Sequence, residues 1–407
     1  MNIIYIHQYF NTPAMPGSTR SYEMARRLVK EGHQVTMITS SQSSQKRKKR
    51  KFTIENGIRV FWLPVSYSNK MPFFRRILSF FQFSYLALLK ASRLNGDLVF
   101  ATSTPLTIAV PAIMISKTRH IPMVFEIRDL WPEIPIAIGA LKSKLSILIS
   151  RWLERLAYSA SARIIALSPG MKPGIMKSGY PGKNIVTIPN FSDLKQFYVS
   201  SSIGKEFRNQ YPWLKNRPLV VYAGAIGIIN GLSYLVEIAG RMLELNSEVR
   251  FIIVGEGIEK EPVLKLAKVE GVFESNLFFL DPIPKSEIPA LYSAANVVTS
   301  LVINLKELRH NSANKFFDGL AAGKPIMINY GGWQKQLLVN NQAGLVVPEN
   351  DPLTAGDRLN RLIQTPNKLL EMGQNALKLA ENNFNVELLF EKFNRTLRAA
   401  YLEYYSQ

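Results

Sequence analysis

The chain has no cysteine among its 407 residues, so it can form no disulfide framework and no thiolate metal site. Its four histidines, His7, His33, His120 and His310, are scattered without metal-ligand spacing, and no Asp-x-Asp pair occurs. No metal is expected from such a set. Acids are scarce too: 30 Asp and Glu stand against 50 Lys and Arg, a formal charge of +20. That balance implies an anionic partner, which nucleic acid, anionic lipid or a phosphate-bearing substrate would satisfy. Nucleic acid is the least attractive, because no recognition helix, zinc spacing or aromatic RNA-binding signature is present. A long apolar run is also missing. Residues 98–116 carry no charge, but Pro105 and Pro111 interrupt them and the length is marginal for a span. They read as a buried strand, a turn and a buried helix. The first residues form a strand rather than a basic segment followed by an apolar one, so no secretory signal is expected and the cytoplasm is the default.

Hydrophobic content of 47% over this length is enough for two ordinary cores. Apolar strands at 2–7, 34–40, 58–63, 97–101, 122–127, 163–167 and 185–188 alternate with amphipathic helices at 18–31, 71–90, 105–117 and 145–159. After a polar, irregular stretch at 190–218 the alternation restarts, with strands at 219–223, 250–254, 277–279, 297–300, 326–328 and 344–347. The fold class is therefore α/β, with two Rossmann-like, doubly wound parallel-sheet domains facing across a cleft lined by strand carboxyl ends. The boundaries expected are 1–190, a linker at 191–217, 218–383, and a tail at 384–407 whose long helix packs back on the first domain.

Four motifs carry chemistry. Lys315 and Asp318 are three apart on one helix, in Asn314-Lys315-Phe316-Phe317-Asp318, ahead of a Gly323 stop and the pair Gly331-Gly332. A cation and a carboxylate beside glycines suit the phosphates and ribose of a sugar nucleotide, although an ordinary surface ion pair has the same spacing. The loop Gly224-Ala225-Ile226-Gly227 ends a strand, so its N–H groups either cradle phosphate or merely turn the chain. Pro16-Gly17-Ser18-Thr19-Arg20 repeats the device in the first half, with Arg20 facing a phosphate across the cleft and Ser18 as the competing N-cap. Arg128-Asp129-Leu130-Trp131-Pro132-Glu133 puts charges at a strand's carboxyl end, where they favour a functional role over an ion pair. Two further features point outward. The basic run 46–51 is either a solvated loop or a membrane contact. The phenylalanine-rich segment 71–90 suits either an anionic membrane surface or the domain core, and the two uses can coexist.

Taken together, these residues resemble family 4 glycosyltransferases of the GT-B fold, and within them the WbuB-like branch that adds N-acetylated deoxyhexoses such as N-acetyl-L-fucosamine in bacterial O-antigen and capsule assembly. The resemblance spans nearly the whole chain. It rests on Arg128–Glu133, Ser168-Pro169-Gly170, Ile188-Pro189-Asn190, Asn314–Asp318 and Tyr330-Gly331-Gly332-Trp333-Gln334. It implies a UDP-sugar as co-substrate, with no separate cofactor and no metal. Lys315, Arg20, Gly17 and the Gly224–Gly227 loop would hold the diphosphate, Asp318 the ribose, Ile283 the base, and Gly331 and Gly332 would complete the donor site. Asp318 stands where the family has the second glutamate of E-x7-E. The first glutamate falls on His310, so His310 and its neighbours Arg309 and Asn311 become candidates for contact with the transferred sugar. Asp129 would contact the acceptor hydroxyl, or act as base should the reaction invert, and Arg128 beside it is a further catalytic candidate. The resemblance and the basic, aromatic first half imply an undecaprenyl-diphosphate-linked acceptor at the cytoplasmic face of the membrane. A UDP-sugar epimerase and a non-catalytic nucleotide-sugar scaffold are the alternatives.

Overall fold

The computed structural model describes residues 1–41, 52–67, 71 and 73–406; the basic run 46–51 lies outside them. Eight strands form the first sheet: β1 (Asn2–Ile6), β2 (Gln34–Ser40), β3 (Thr53–Glu55), β4 (Ile58–Leu63), β5 (Leu98–Thr102), β6 (Met123–Ile127), β7 (Arg163–Ala166) and β8 (Ile185–Thr187). Their spatial order is β3-β4-β2-β1-β5-β6-β7-β8, parallel except for β3, which turns back on β4. The second sheet holds β9 (Leu219–Ala223), β10 (Arg250–Val254), β11 (Leu277–Leu280), β12 (Val297–Ser300), β13 (Ile326–Ile328) and β14 (Gly344–Val346), all parallel, in the order β11-β10-β9-β12-β13-β14. Strands β5, β6, β9 and β10 are buried along their whole length, because helices cover both faces. They are accordingly mostly apolar rather than alternating, with Glu126 of β6 and Arg250 of β10 as the charged exceptions. Strand order reverses between β1 and β5 and between β9 and β12, and the crevice outside those carboxyl ends is the place such folds reserve for ligands.

The uncharged stretch 98–116 resolves into β5, a short turn at Leu106–Ile108 and the helix Ala109–Arg119. Among the described residues no helix is long and apolar enough to cross a membrane. The stretch read as irregular between the halves is different. It contains the helices Leu194–Phe197 and Ser201–Asn209, each N-capped by a side chain, Asp193 and Ser200 respectively. The second helix docks on Ile288–Ala294, where Gly204 leaves no room for a Cβ against Ser293, and Arg208 Nε donates to Ala294 O at 3.1 Å. These helices are short, so cap and tertiary contact, not periodicity, stabilise them.

The C-terminal helix Val386–Tyr405 lies on the first domain. Phe393 packs edge-on against Phe100 of β5, His33 Nε2 meets Asn394 Oδ1 at 3.1 Å, and Arg27 reaches Glu387 at 2.9 Å. Closer to the cleft, Asn190 donates its backbone N–H to Ser312 Oγ at 3.0 Å, and Ser192 Oγ donates to Phe317 O at 2.8 Å. The junction thus touches the helix that carries Lys315.

Candidate active site in the interdomain cleft

A cavity of about 480 Å³ opens between the two domains. The first domain contributes Pro16, Gly17 and Ser18; the second contributes the ends of β9 and β10, the 282–285 turn and the start of the helix Asn314–Ala321. The 12–17 loop and the 282–286 turn are tied by two cross-domain bonds, Lys285 N–H to Met15 O and Ser286 N–H to Pro13 O, both 3.1 Å. The cavity is therefore bounded on one side by backbone that both domains hold in place.

Lys315 stands in its wall. Its Nζ donates to Tyr222 Oη at 2.9 Å and lies 4.3 Å from that ring's centroid. Burial alone pushes its ammonium down to about 8, and no carboxylate offsets the loss of hydration. The approach depends on Gly224, at φ +155°, where a Cβ would come within 3.0 Å of Lys315 Cε. Gly255 meets the same loop from the β10 side, and a Cβ there would lie 1.9 Å from Gly224 O. The glycine loop is less open than its sequence implies. Gly224 and Ile226 spend their N–H groups on Val254 O and Glu256 O, which leaves the Ala225 N–H for a ligand. Gly227 does not line the cavity; it precedes the single turn Ile228–Asn230.

One turn beyond Lys315, Asp318 also faces the cavity, and its Oδ2 is taken by the Lys285 ammonium in a pair about nine-tenths buried. Burial raises the Asp318 carboxyl, and Lys285 opposes that rise. Ile283 and Pro282 form the apolar wall beside this pair. Lys285 is a site residue that the sequence reading missed. The turn Pro282-Ile283-Pro284 was legible, but nothing relates a lysine at 285 to a carboxylate 33 residues later.

Arg20 is not in the cavity. It is 2% exposed, its Nε and Nη2 donate to Glu126 Oε2 at 2.9 and 2.8 Å, and Ile188 O and Pro189 O accept at 3.0 and 2.6 Å. With its guanidinium committed to the ends of β6 and β8, it braces the strand ends and offers nothing to a phosphate. Gly17, three residues earlier, does line the cavity, at φ +113°.

Arg128 reaches the cavity indirectly. Its Nη2 donates to Ser18 Oγ, and Ser18 donates to Asn314 Oδ1 beside Lys315, both at 3.3 Å. Its Nη1 lies 3.3 Å from His7 Nε2. An arginine only donates, so Nε2 accepts and the proton of this buried, neutral imidazole sits on Nδ1, which has no partner. Burial lowers His7 further from protonation, with Arg128 adding to it. Asp129 accepts from Thr104 Oγ1 at 3.2 Å; burial raises its carboxyl while Arg128 and Thr104 hold it down. Gln8, Ser168 and Asn190 likewise follow first-sheet strands and have buried side-chain atoms without partners. Such groups are normally satisfied by water or ligand.

His310 lies elsewhere in the cleft. It sits in the turn Lys306–His310, packs so tightly on Gly170 that a Cβ there would be 1.9 Å from Nδ1, and lines a second cavity of about 470 Å³. Burial lowers its pKa, Glu307 opposing. Gly331 and Gly332 are not cavity residues either. Gly332, at φ +90°, lies under Arg309, where a Cβ would be 2.2 Å from the carbonyl oxygen. Trp333 Nε1 donates to Asn311 O at 2.9 Å, and Arg309 clasps Glu349 at 2.9 and 3.1 Å. The two glycines thus allow the 306–311 segment to cross β13's following loop and present His310. Among the described residues no three His, Asp or Glu side chains converge as a metal site would need.

Known proteins fit this arrangement. The model described as Glycosyltransferase Family 4 matches residues 17–196, and that described as Glycosyl transferases group 1 matches 204–379. A relative from Escherichia coli K12, named as a glycosyl transferase of colanic acid biosynthesis, is 24% identical over 270 residues, which are 63% of this chain and 66% of that protein. The matched region thus spans just under two thirds of that relative. Sucrose-phosphate synthase of Thermosynechococcus elongatus superimposes with a TM-score of 0.79 at 16% identity, covering 99% of both chains. Anabaena HepE, solved with UDP-glucose, gives a TM-score of 0.72 at 15% identity over 98% of this chain and all of its own. The two models meet at the interdomain junction and between them take in every cavity residue from Gly17 to Asp318 save Pro16: the chain belongs to the family 4, group 1 glycosyltransferases and has their GT-B fold.

Proposed function

We propose that the protein transfers a sugar from a UDP-sugar to a lipid-linked oligosaccharide in bacterial surface-polysaccharide assembly. The observation that carries this reading is Lys315, a half-buried cation with no carboxylate partner, set in a cleft cavity that both domains wall. A dry ammonium is costly unless an anion joins it, and a nucleoside diphosphate supplies one. In this reading Lys315 and the Ala225 N–H stabilise the departing diphosphate. Asp318 accepts from ribose through the oxygen that Lys285 leaves, and Pro282 and Ile283 flank the base. The C1–O bond to the diphosphate breaks as the acceptor oxygen bonds to C1, and the acceptor proton passes to the departing phosphate. Arg128 and Asp129 orient the acceptor from the first domain, where unpartnered His7 and Gln8 atoms await polar groups. The cations of the chain take the role of a metal, and the sugar is N-acetyl-L-fucosamine or a related N-acetylated deoxyhexose, as in the WbuB-like branch.

The lipid-linked acceptor and a peripheral site at the cytoplasmic membrane face are supported by the first domain's outer surface. In the helix Phe73–Ala91, Phe80, Phe83, Ala87 and Ala91 enter the core, while Phe74, Leu78, Phe81, Tyr85 and Leu89 point outward, Phe74 being 69% exposed. The phenylalanine-rich segment therefore has both a core face and a free face. The helix Ala109–Arg119 lies between it and Lys144–Ser159, adding Val110 and Met114; Leu145, Leu148 and Trp152 extend the apolar face. Radiolabelled UDP-sugar incubated with protein and membranes tests the reading: label should enter a lipid-extractable product, and Lys315→Met should abolish it. Label released only as free sugar, or recovered as an epimerised nucleotide sugar, would contradict it.

A further inference from the structure

The second cavity in the cleft, about 470 Å³, has no part in the donor chemistry above. Four cations line it: Arg151 and Arg155 from the helix Lys144–Ser159, Lys177 from Met171–Lys177, and Lys306 from the turn that presents His310. None of the four is in a salt bridge among the described residues. Glu133, Glu154 and Glu307 share the cavity. Glu154 accepts from Tyr158 Oη at 2.8 Å; burial, with Glu133 adding to it, pushes its carboxyl up to about 7, while Tyr158, Arg151 and Arg155 oppose the rise. The cations come from both domains, and although Glu154 attracts Arg151 and Arg155, none of the four is paired off in a salt bridge among the described residues.

Their position relative to the apolar face is what selects a ligand. Leu148, Arg151, Trp152 and Arg155 follow one another at helical spacing, so a strip that is apolar at its outer end becomes cationic where it enters the cleft. Leu148 and Trp152 are 65% and 61% exposed. A ligand spanning both parts carries a phosphate or diphosphate at its head and a hydrocarbon chain behind it. His310 closes the inner wall of the same cavity, so a sugar joined to that phosphate lies beside the histidine.

We infer that this cavity is the acceptor's anchoring site: Arg151, Arg155, Lys177 and Lys306 hold the phosphate or diphosphate of an amphiphilic acceptor whose chain runs out over Leu148 and Trp152. The inference rests on the transferase reading but names a separate site, so the two can fail independently. Glu133 and Glu307 are left to accept from sugar hydroxyls.

The test uses the whole chain saturated with UDP, which blocks the donor site against other diphosphates. Calorimetry then follows farnesyl diphosphate, below its micelle concentration, and inorganic pyrophosphate. Farnesyl diphosphate should bind, and Arg151→Ala/Arg155→Ala should weaken it at least tenfold while UDP affinity stays unchanged; both arginines are exposed, so the fold is not at stake. Trp152→Ala should weaken farnesyl diphosphate several-fold and leave pyrophosphate alone. Equal farnesyl diphosphate affinity in the wild type and the double-arginine variant would overturn the site. Pyrophosphate binding as tightly as farnesyl diphosphate, with Trp152→Ala changing neither, would identify a soluble phosphate and overturn the lipid anchor. A wild type that fails to take up UDP would sink the transferase reading instead, and farnesyl diphosphate titrated alone would still decide this one.

Discussion

Arg20 and Lys315 occupy comparable places in the two halves. Each stands at the start of a helix near the carboxyl ends of a parallel sheet, Arg20 buried and Lys315 half-buried. Arg20 has Glu126 and two carbonyls around it. Lys315 has a phenol, a ring face and the Asn230 amide oxygen at 3.3 Å, all neutral. The first cation has an ionised partner and is structural, whereas the second meets only neutral groups, which is what the proposed diphosphate site requires. Location at a helix start beside a cleft does not distinguish the two. The company each keeps does.

The largest effect expected is at Arg20. Arg20→Ala leaves Glu126 buried without its partner, which costs about 3–5 kcal/mol and lowers the thermal midpoint on the order of 10 °C. Unfolding followed by circular dichroism measures it. A normal midpoint with lost UDP affinity would return Arg20 to the donor site and erase the contrast.

Lys315→Met should do the opposite. UDP affinity should fall by about 1.5–3 kcal/mol, roughly 10- to 150-fold, with no loss of melting temperature at pH 7. The pH dependence sharpens this. The Lys315 value of about 8 in the folded chain lies below its ordinary 10.5, so between these values the unfolded chain binds more protons. The contribution of Lys315 to stability therefore rises with pH across that window, while UDP affinity falls as the ammonium is lost. Calorimetry and thermal melts from pH 7 to 10 should show these opposed trends. In Lys315→Arg the decline in affinity should vanish.

Smaller effects belong to positioning groups. Gly332→Ala forces its Cβ toward the Arg309 carbonyl and should shift the turn bearing His310. Turnover should drop by about tenfold, near 1.4 kcal/mol, with UDP affinity intact. Loss of UDP binding instead would place Gly332 in the donor site. Asp318→Asn keeps a carbonyl for Lys285 but weakens the ribose contact. UDP affinity should fall by about 1 kcal/mol while pyrophosphate affinity holds. An equal loss for both ligands would assign Asp318 to the diphosphate.

Much of the architecture was legible because it depends on local pattern. Buried parallel strands such as Leu219–Ala223 are apolar almost from end to end, and Lys315 and Asp318 share a helix face by spacing alone. What escaped depends on long-range pairing. Glu126 lies 106 residues from Arg20 and Lys285 lies 33 from Asp318, separations on which periodicity is silent. Gly331 and Gly332 were expected to complete the donor site, but neither lines the cavity, and the group approaching Gly332 is the Arg309 backbone. The helix Ser201–Asn209 was read as irregular because nine residues with a central Gly204 carry a weak pattern, and its Ser200 cap and docking on Ile288–Ala294 stabilise it.

The central claim is that the Lys315 cavity is a uridine diphosphate site assembled without a metal. Calorimetric titration with UDP, GDP, ADP and dTDP in EDTA tests it directly. The account predicts selective binding of UDP that disappears in Lys315→Met. Selective binding of another nucleotide would overturn the donor assignment, and the absence of binding by all four would contradict the claim itself.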